Sequence, residues 1–329
     1  MSKSNDGFLS KKSLEIAKKI PLNVYILVVM IVFFGIITRR GTFFTLQNLM
    51  NIIEQGVVLS IVAVAACLAL ITKGVDLSLG MTMSMSGVIA AQLGSEMGRG
   101  WPLPIAFAIA ILAGTCIGML NGLIISRNNV APFIITLATT NIIRSLAFLF
   151  SGVRTVPAFD PGFRWIGSAH VFRIVPVGLF VVLILYWIVN YLATKRTLGT
   201  YMYAVGGNEA VAKLSGINVP RVKFLTYTMT GTIAAIAGIM LASRLGAANP
   251  AQGQGFEFFA IASAVVGGVS MFGGKGSVWK TLTGALIIAI LRNGMNMAMI
   301  ATSLQMVVMG VVIVFVVAMD TMFRKEVKL

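Results

Sequence analysis

The chain has 329 residues, 57% of them hydrophobic and only 11% charged, with 26 Lys and Arg against 10 Asp and Glu. A soluble globular domain runs about 45–50% apolar and about 25% charged, so that class is excluded and length counts membrane spans instead. The net charge of +16 does not mark a nucleic-acid binder, because the cations sit in short segments between apolar runs and form no basic stripe interleaved with aromatics.

Residues 1–21 form a basic tail carrying Lys3, Lys11, Lys12, Lys18 and Lys19. The run Leu22–Thr38 exceeds a signal-peptide core and is followed by Arg39 and Arg40, so it is expected to be an uncleaved first helix. Further apolar runs place spans near 52–72, 77–93, 103–125, 132–150, 175–192, 224–242, 258–270, 281–298 and 303–320. The expected fold is an all-α integral membrane protein of about ten transmembrane helices. The membrane domain covers 22–320, and a short tail follows at 321–329. The second and third spans nearly touch and the eighth is short, so both places suit broken or re-entrant helices.

With the N-terminus inside, inner segments hold 17 Lys and Arg and outer segments hold 7. That asymmetry predicts both termini in the cytoplasm. Cys67 and Cys116 lie in apolar runs and are expected to be buried. The lone His170 has no second metal ligand nearby.

Asp76, with Ser78, lies in the segment Gly74–Gly80. An ionised carboxylate costs about 2.5–3.5 kcal/mol at the centre of a membrane helix. The pair is either a polar hinge on the translocation path or a cap on the third span. Gly114, Gly118 and Gly122 recur every four residues and bare one face of the fourth span for close helix packing. The outer segment 151–174 mixes Pro, Gly and aromatics, which suits an ordered interfacial loop. The inner segment 193–223 is long, and within it Asn208 predicts a helix over Glu209–Leu214 that Gly216 ends. Gly267–Ser277 is no phosphate-binding loop, because Val269 stands where the first glycine is required and Gly276 follows Lys275. Its glycines suit a tight turn. Asn121-Gly122 and Asn293-Gly294 lie 172 residues apart, compatible with an inverted repeat or with chance.

No catalytic triad, paired acid/base site or metal cluster assembles from these residues. Few buried carboxylates argue against an ion-coupled secondary transporter, the alternative reading, and the missing acid/base pairs argue against an enzyme of lipid-linked substrates.

Four stretches carry a family resemblance: TKGVDLSLG at Thr72–Gly80, NGLIISRNNVAPFIITLA at Asn121–Ala138, TLGTYMYAVGGNEAVAKLSGINVPRV at Thr197–Val222, and Gly255–Asn296 with GGVSMFGGKGSVWKTLTGALI. The chain resembles the permease subunits of bacterial simple-sugar ABC importers of the ribose, galactose, xylose and arabinose type. The resemblance implies an inner-membrane, multi-pass subunit that is not itself an enzyme. It implies a second permease copy, identical or closely similar. It also implies an extracytoplasmic sugar-binding protein, and an ATPase with two fused nucleotide-binding halves. No cofactor is expected in this chain, since ATP and Mg would bind the ATPase. The segment 193–223 resembles the family's coupling segment, which makes Gly206, Gly207, Asn208, Glu209, Ala210, Ala212, Leu214, Ser215 and Gly216 the expected ATPase contact. Phe133 and Asn141 join Asp76 and Ser78 as expected path residues. Lys73 stands where the family commonly has glycine, Ala138 likewise, and Phe258-Phe259 replace a more usual Leu-Asp.

Overall fold

A computed structural model describes residues 22–127, 130–172 and 175–326. The basic tail 1–21 and the last three residues lie outside the described residues, as does Arg173. Thirteen α-helices cover most of the described chain. In chain order they are α1 Leu22–Ile37, α2 Leu46–Ile71, α3 Leu79–Gly94, α4 Leu103–Arg127, α5 Pro132–Ser151, α6 Pro161–Ser168 and α7 Val177–Lys195. Then follow α8 Thr197–Gly207, α9 Glu209–Leu214, α10 Val219–Leu245, α11 Phe256–Val266, α12 Val278–Met297 and α13 Thr302–Glu326.

Each expected span contains a helix, but among the described residues five helices are long and apolar enough to cross a bilayer: α2, α4, α5, α7 and α10. The eighth span shrinks to the 11 residues of α11, because Gly267 and Gly268 end it. The segment 193–223 is mostly helical. α8 occupies its first half, where the sequence alone predicts a loop. The outer segment 151–174 likewise contains α6. At the other end, α13 continues to Glu326, so residues 321–326 are helical.

The core is built around α2 and α10. Thr45 starts α2 by accepting the Asn48 N–H at 3.3 Å. From Gly56 to Ile71 every residue of α2 is buried, as befits a helix apolar on all sides. Asn218 caps α10 through the Arg221 N–H at 3.0 Å, and Gly246 at φ 65° closes it. α10 packs chiefly on α4 and α3, while α2 packs chiefly on α12, α10 and α11. The pairings α3–α4 and α3–α5 recur as α11–α12 and α11–α13.

Two short antiparallel pairs, β1 (Val156–Pro157) with β4 (Ala247–Ala248) and β2 (His170–Val171) with β3 (Val175–Pro176), close the bundle end opposite α9. α6 is pinned there to α10. Ser243 Oγ donates to the Phe163 carbonyl at 2.7 Å and accepts the Gly167 N–H at 2.8 Å. Cys67 is buried, but Cys116 is exposed, contrary to expectation. It sits half a turn from the Gly114–Gly118–Gly122 stripe, on the face of α4 left exposed among the described residues.

Candidate functional site

α9 is a single exposed helical stretch bounded by local chemistry. Asn208 Oδ1 accepts the Val211 N–H at 3.1 Å, which supplies an otherwise unpaired donor of the first turn. Gly216 takes φ 80°, a conformation glycine adopts without strain, and ends the motif. Lys223 at the start of α10 reaches both Glu209 oxygens at 2.8 Å. Ala212 is buried, whereas Val211 is 56% exposed and Leu214 89% exposed. Gly207, Asn208, Glu209, Ala210, Ser215 and Gly216 all face solvent, so the α9 segment presents a mixed apolar and polar surface.

Just before α9, the chain makes a backbone joint. Gly206 is buried so closely against the Ile71 carbonyl that a Cβ there would overlap it, and the Gly274 nitrogen would lie 2.7 Å away. Gly274 N–H donates to that same Ile71 carbonyl at 2.9 Å. A Cβ on Gly273 would meet the Gly206 carbonyl at 2.6 Å and the Lys73 Cβ at 2.7 Å. Gly273 and Gly274 take φ 82° and 70°, which only glycine tolerates cheaply. Tyr203 Oη donates to the Gly276 carbonyl at 3.1 Å. Burial first, then the neighbouring Cys67, pushes the Tyr203 phenol above its usual value, so it stays a donor. The end of α8 therefore touches the turn after α2 and the turn before α12 together.

The turn after α2 holds a buried polar network. Asp76 is 2% exposed. Its Oδ1 accepts the Ser78 N–H at 3.0 Å and the Ser78 hydroxyl at 2.6 Å, and its Oδ2 accepts the Thr230 hydroxyl of α10 at 2.7 Å. Asn121 of α4 donates to Ser78 Oγ at 3.0 Å and accepts from Thr139 of α5 at 2.6 Å. Thr140 donates to the Leu77 carbonyl at 2.9 Å. Ser78 makes no side-chain cap to α3, so its hydroxyl serves Asp76 instead. Asp76 and Ser78 tie α3 to α4, α5 and α10 and line no open surface in this conformation.

The glycine stripe of α4 lies directly on α10. A Cβ on Gly118 would overlap the Tyr227 carbonyl and reach the Gly231 Cα at 3.1 Å, and one on Gly122 would meet the Phe224 carbonyl at 2.7 Å. A Cβ on Gly114 would come within 2.8 Å of the Gly231 carbonyl. Phe133 and Asn141 are exposed on α5, away from the Asp76 network. Asn141, Arg144 and Ser145 share one exposed face of that helix, spaced three and four residues apart. Arg144 makes no ion pair among the described residues.

At the far end, Glu54 of α2 bridges His170 Nε2 at 3.1 Å and Arg244 Nε at 3.2 Å. Sequence reasoning missed this contact and the threonines of the Asp76 network. The signal available was the hydroxyl clustering in TLATTN of α5 and TYTMTGT of α10. Among the described residues no cluster could hold a metal ion.

A family model described as "Branched-chain amino acid transport system / permease component" matches residues 48–317. The chain is a member of that permease family. The permease is also 37% identical over 300 residues to the ribose import permease protein RbsC of Escherichia coli strain K12, covering 89% of this chain and 92% of that one. It is 34% identical over 329 residues to the D-allose transport system permease protein AlsC of the same strain, covering 97% and 100% respectively. The galactose/methyl galactoside import permease protein MglC, again from that strain, is 36% identical over 331 residues, covering 95% of this chain and 97% of its own. No solved structure matches the permease. Family and helices together make it a multi-pass membrane subunit of ABC sugar import permease type.

Proposed function

We propose that the permease carries a monosaccharide, or a related polyol or furanose, inward across a bacterial cytoplasmic membrane by alternating access, driven by ATP hydrolysed on a partner subunit. The observation that carries this reading is α9. It is a short capped helix outside the long spans, with Leu214 almost wholly exposed. Large apolar side chains held out on a rigid helix suit a partner's groove. In this reading both termini and α9 face the cytoplasm, where the ATPase docks, and a sugar-binding protein docks at the end closed by α6 and β1–β4. The chain has no catalytic role of its own, and ATP and Mg stay with the ATPase.

The joint gives the movement a route. When the ATPase halves close on ATP, α9 shifts and Gly206 presses on the turns at 71–73 and 273–274. Those turns lead into α3 and α12. The interchangeable helix pairings support an inverted repeat relating α2–α5 to α10–α13, so one displacement would act on corresponding elements of both halves.

The uncovered face of α5 supports a path formed with a second permease copy. A charged side chain facing lipid at a helix centre costs about 2.5–3.5 kcal/mol, and Arg144 shares its face with Asn141 and Ser145. A water-filled path between two copies removes that cost. Phe133 lies further along α5 as an aromatic lining residue.

The test is uptake into proteoliposomes holding the permease, a partner ATPase and a sugar-binding protein. Uptake should require internal ATP and survive a protonophore. Uptake with no nucleotide present would overturn the reading.

A further inference from the structure

Between α9, the start of α10 and the turn after α2 lies a cavity of about 210 Å³. Lys73, Lys223, Glu209 and Tyr227 line it, and Ile125 and Pro132 close its apolar side. Three observations give it a chemical character.

Lys73 occupies φ 62°, a left-handed conformation that a lysine holds only at a cost in strain. The Lys73 side chain is exposed and makes no ion pair among the described residues. Charge is also unbalanced in the cavity: two ammonium groups face one carboxylate, and that carboxylate is already held by Lys223. Tyr227 supplies the independent observation. It is 1% exposed, and its hydroxyl has no hydrogen-bond partner among the described residues. The hydroxyl sits over Gly74, where a Cβ would overlap it. A buried O–H without an acceptor is unfavourable, and a ligand oxygen in the cavity would satisfy it.

We infer that this cleft binds a phosphate group. The Lys73 and Lys223 ammonium groups neutralise the phosphate charge, and the Tyr227 hydroxyl donates to one of its oxygens. Glu209 remains bound to Lys223, which leaves Lys73 as the second cation that meets the phosphate. Two sources carry the same chemistry. One is the headgroup of an anionic phospholipid, which basic clefts between membrane helices accept. The other is a soluble phosphate monoester. Either would clamp α9 to the turn after α2 and so govern coupling. That consequence rests on the coupling role proposed for α9, whereas binding itself does not.

The purified permease is tested by thermal melting and titration, in detergent with glycerol 3-phosphate and in nanodiscs of phosphatidylglycerol against phosphatidylcholine. One of the two phosphate sources should raise the melting temperature of the wild type. K73G and Y227F should each weaken that binding at least tenfold. K73G places glycine at a left-handed position, so loss of binding there is not loss of folding. A response to glycerol 3-phosphate alone assigns a soluble ester, and a response to phosphatidylglycerol alone assigns the headgroup. No response to either, or unchanged affinity in both variants, overturns the inference. These readouts involve neither ATPase nor transport, so a failure of ATP coupling leaves them intact.

Discussion

Lys223 holds Glu209 through both carboxylate oxygens at 2.8 Å, bracing the first residue of α9 against the first turns of α10. Glu209 remains half exposed, so the pair itself contributes at most about 1 kcal/mol. Its place on the exposed helix matters more than its strength. Glu209→Arg should leave the melting temperature nearly unchanged yet abolish capture of the partner ATPase in a pull-down. ATP-driven uptake should fall at least about tenfold, which corresponds to about 1.4 kcal/mol of lost interaction.

The joint predicts opposite outcomes for two adjacent glycines. Gly206→Ala places a methyl group on the Ile71 carbonyl, with backbone on both sides and nothing flexible to yield. It should cost about 1–3 kcal/mol and uncouple uptake from ATP hydrolysis. Gly207→Ala meets nothing within 4 Å and should leave stability unchanged.

Removing the Asp76 carboxylate should be costly. Asp76→Ala leaves the Ser78 N–H and the Ser78 hydroxyl without their acceptor in a buried place, while the Thr230 hydroxyl keeps the Tyr227 carbonyl at 2.9 Å. With about 1–3 kcal/mol per stranded group, the variant should unfold at markedly lower denaturant. Thr230→Val removes one donor and leaves Asp76 its Ser78 partners, so a loss of about 1 kcal/mol is expected. Equilibrium unfolding in detergent measures both.

Helix packing gives a third contrast. Gly118→Ala forces α4 off the α10 backbone at Tyr227 and Gly231 and should destabilise by about 1–3 kcal/mol. Gly310→Ala on α13, where a Cβ meets nothing within 4 Å, should not. Thermal melts of the two variants side by side check this.

Arg144→Ala should keep the fold, since the side chain is exposed and makes no ion pair among the described residues. Uptake should nonetheless fall. Asn141→Cys in a Cys116→Ser background should be labelled by a water-soluble thiol reagent and protected by transported sugar. Labelling only by a membrane-restricted reagent would place this face in lipid and count against a water-filled path.

Local chemistry was legible in the sequence, and distant chemistry was not. Asn208 and Gly216 announce the ends of α9 because cap and glycine act on neighbours in the chain. The four-residue glycine spacing announces a close approach because it repeats on one helix face. The partner of Asp76 is hidden, since Thr230 lies 154 residues away and looks like any hydroxyl tolerated in an apolar helix. The same holds for Glu54, whose partners His170 and Arg244 come from elements brought together only by the fold. α8 escaped notice because TLGTYMYAVGG ends in two glycines and is held by packing on Ile71 and Gly276 rather than by strong helix formers. Span boundaries slipped for a related reason: the polar start of α2, LQNLMN, is helical but weakly apolar.

The contact among Gly206, Ile71, Gly273 and Gly274 is made mainly by peptide groups, with hardly a side chain interposed. Side chains can switch rotamer and absorb a push, whereas abutting main chains cannot. A tilt imposed at this spot would therefore arrive undamped on either side, and a substitution that added a side chain here would break the contact rather than soften it. If the joint carries the proposed motion, whatever sets its speed must lie elsewhere, in the grip of a partner on α9 or in the opening of the opposite end.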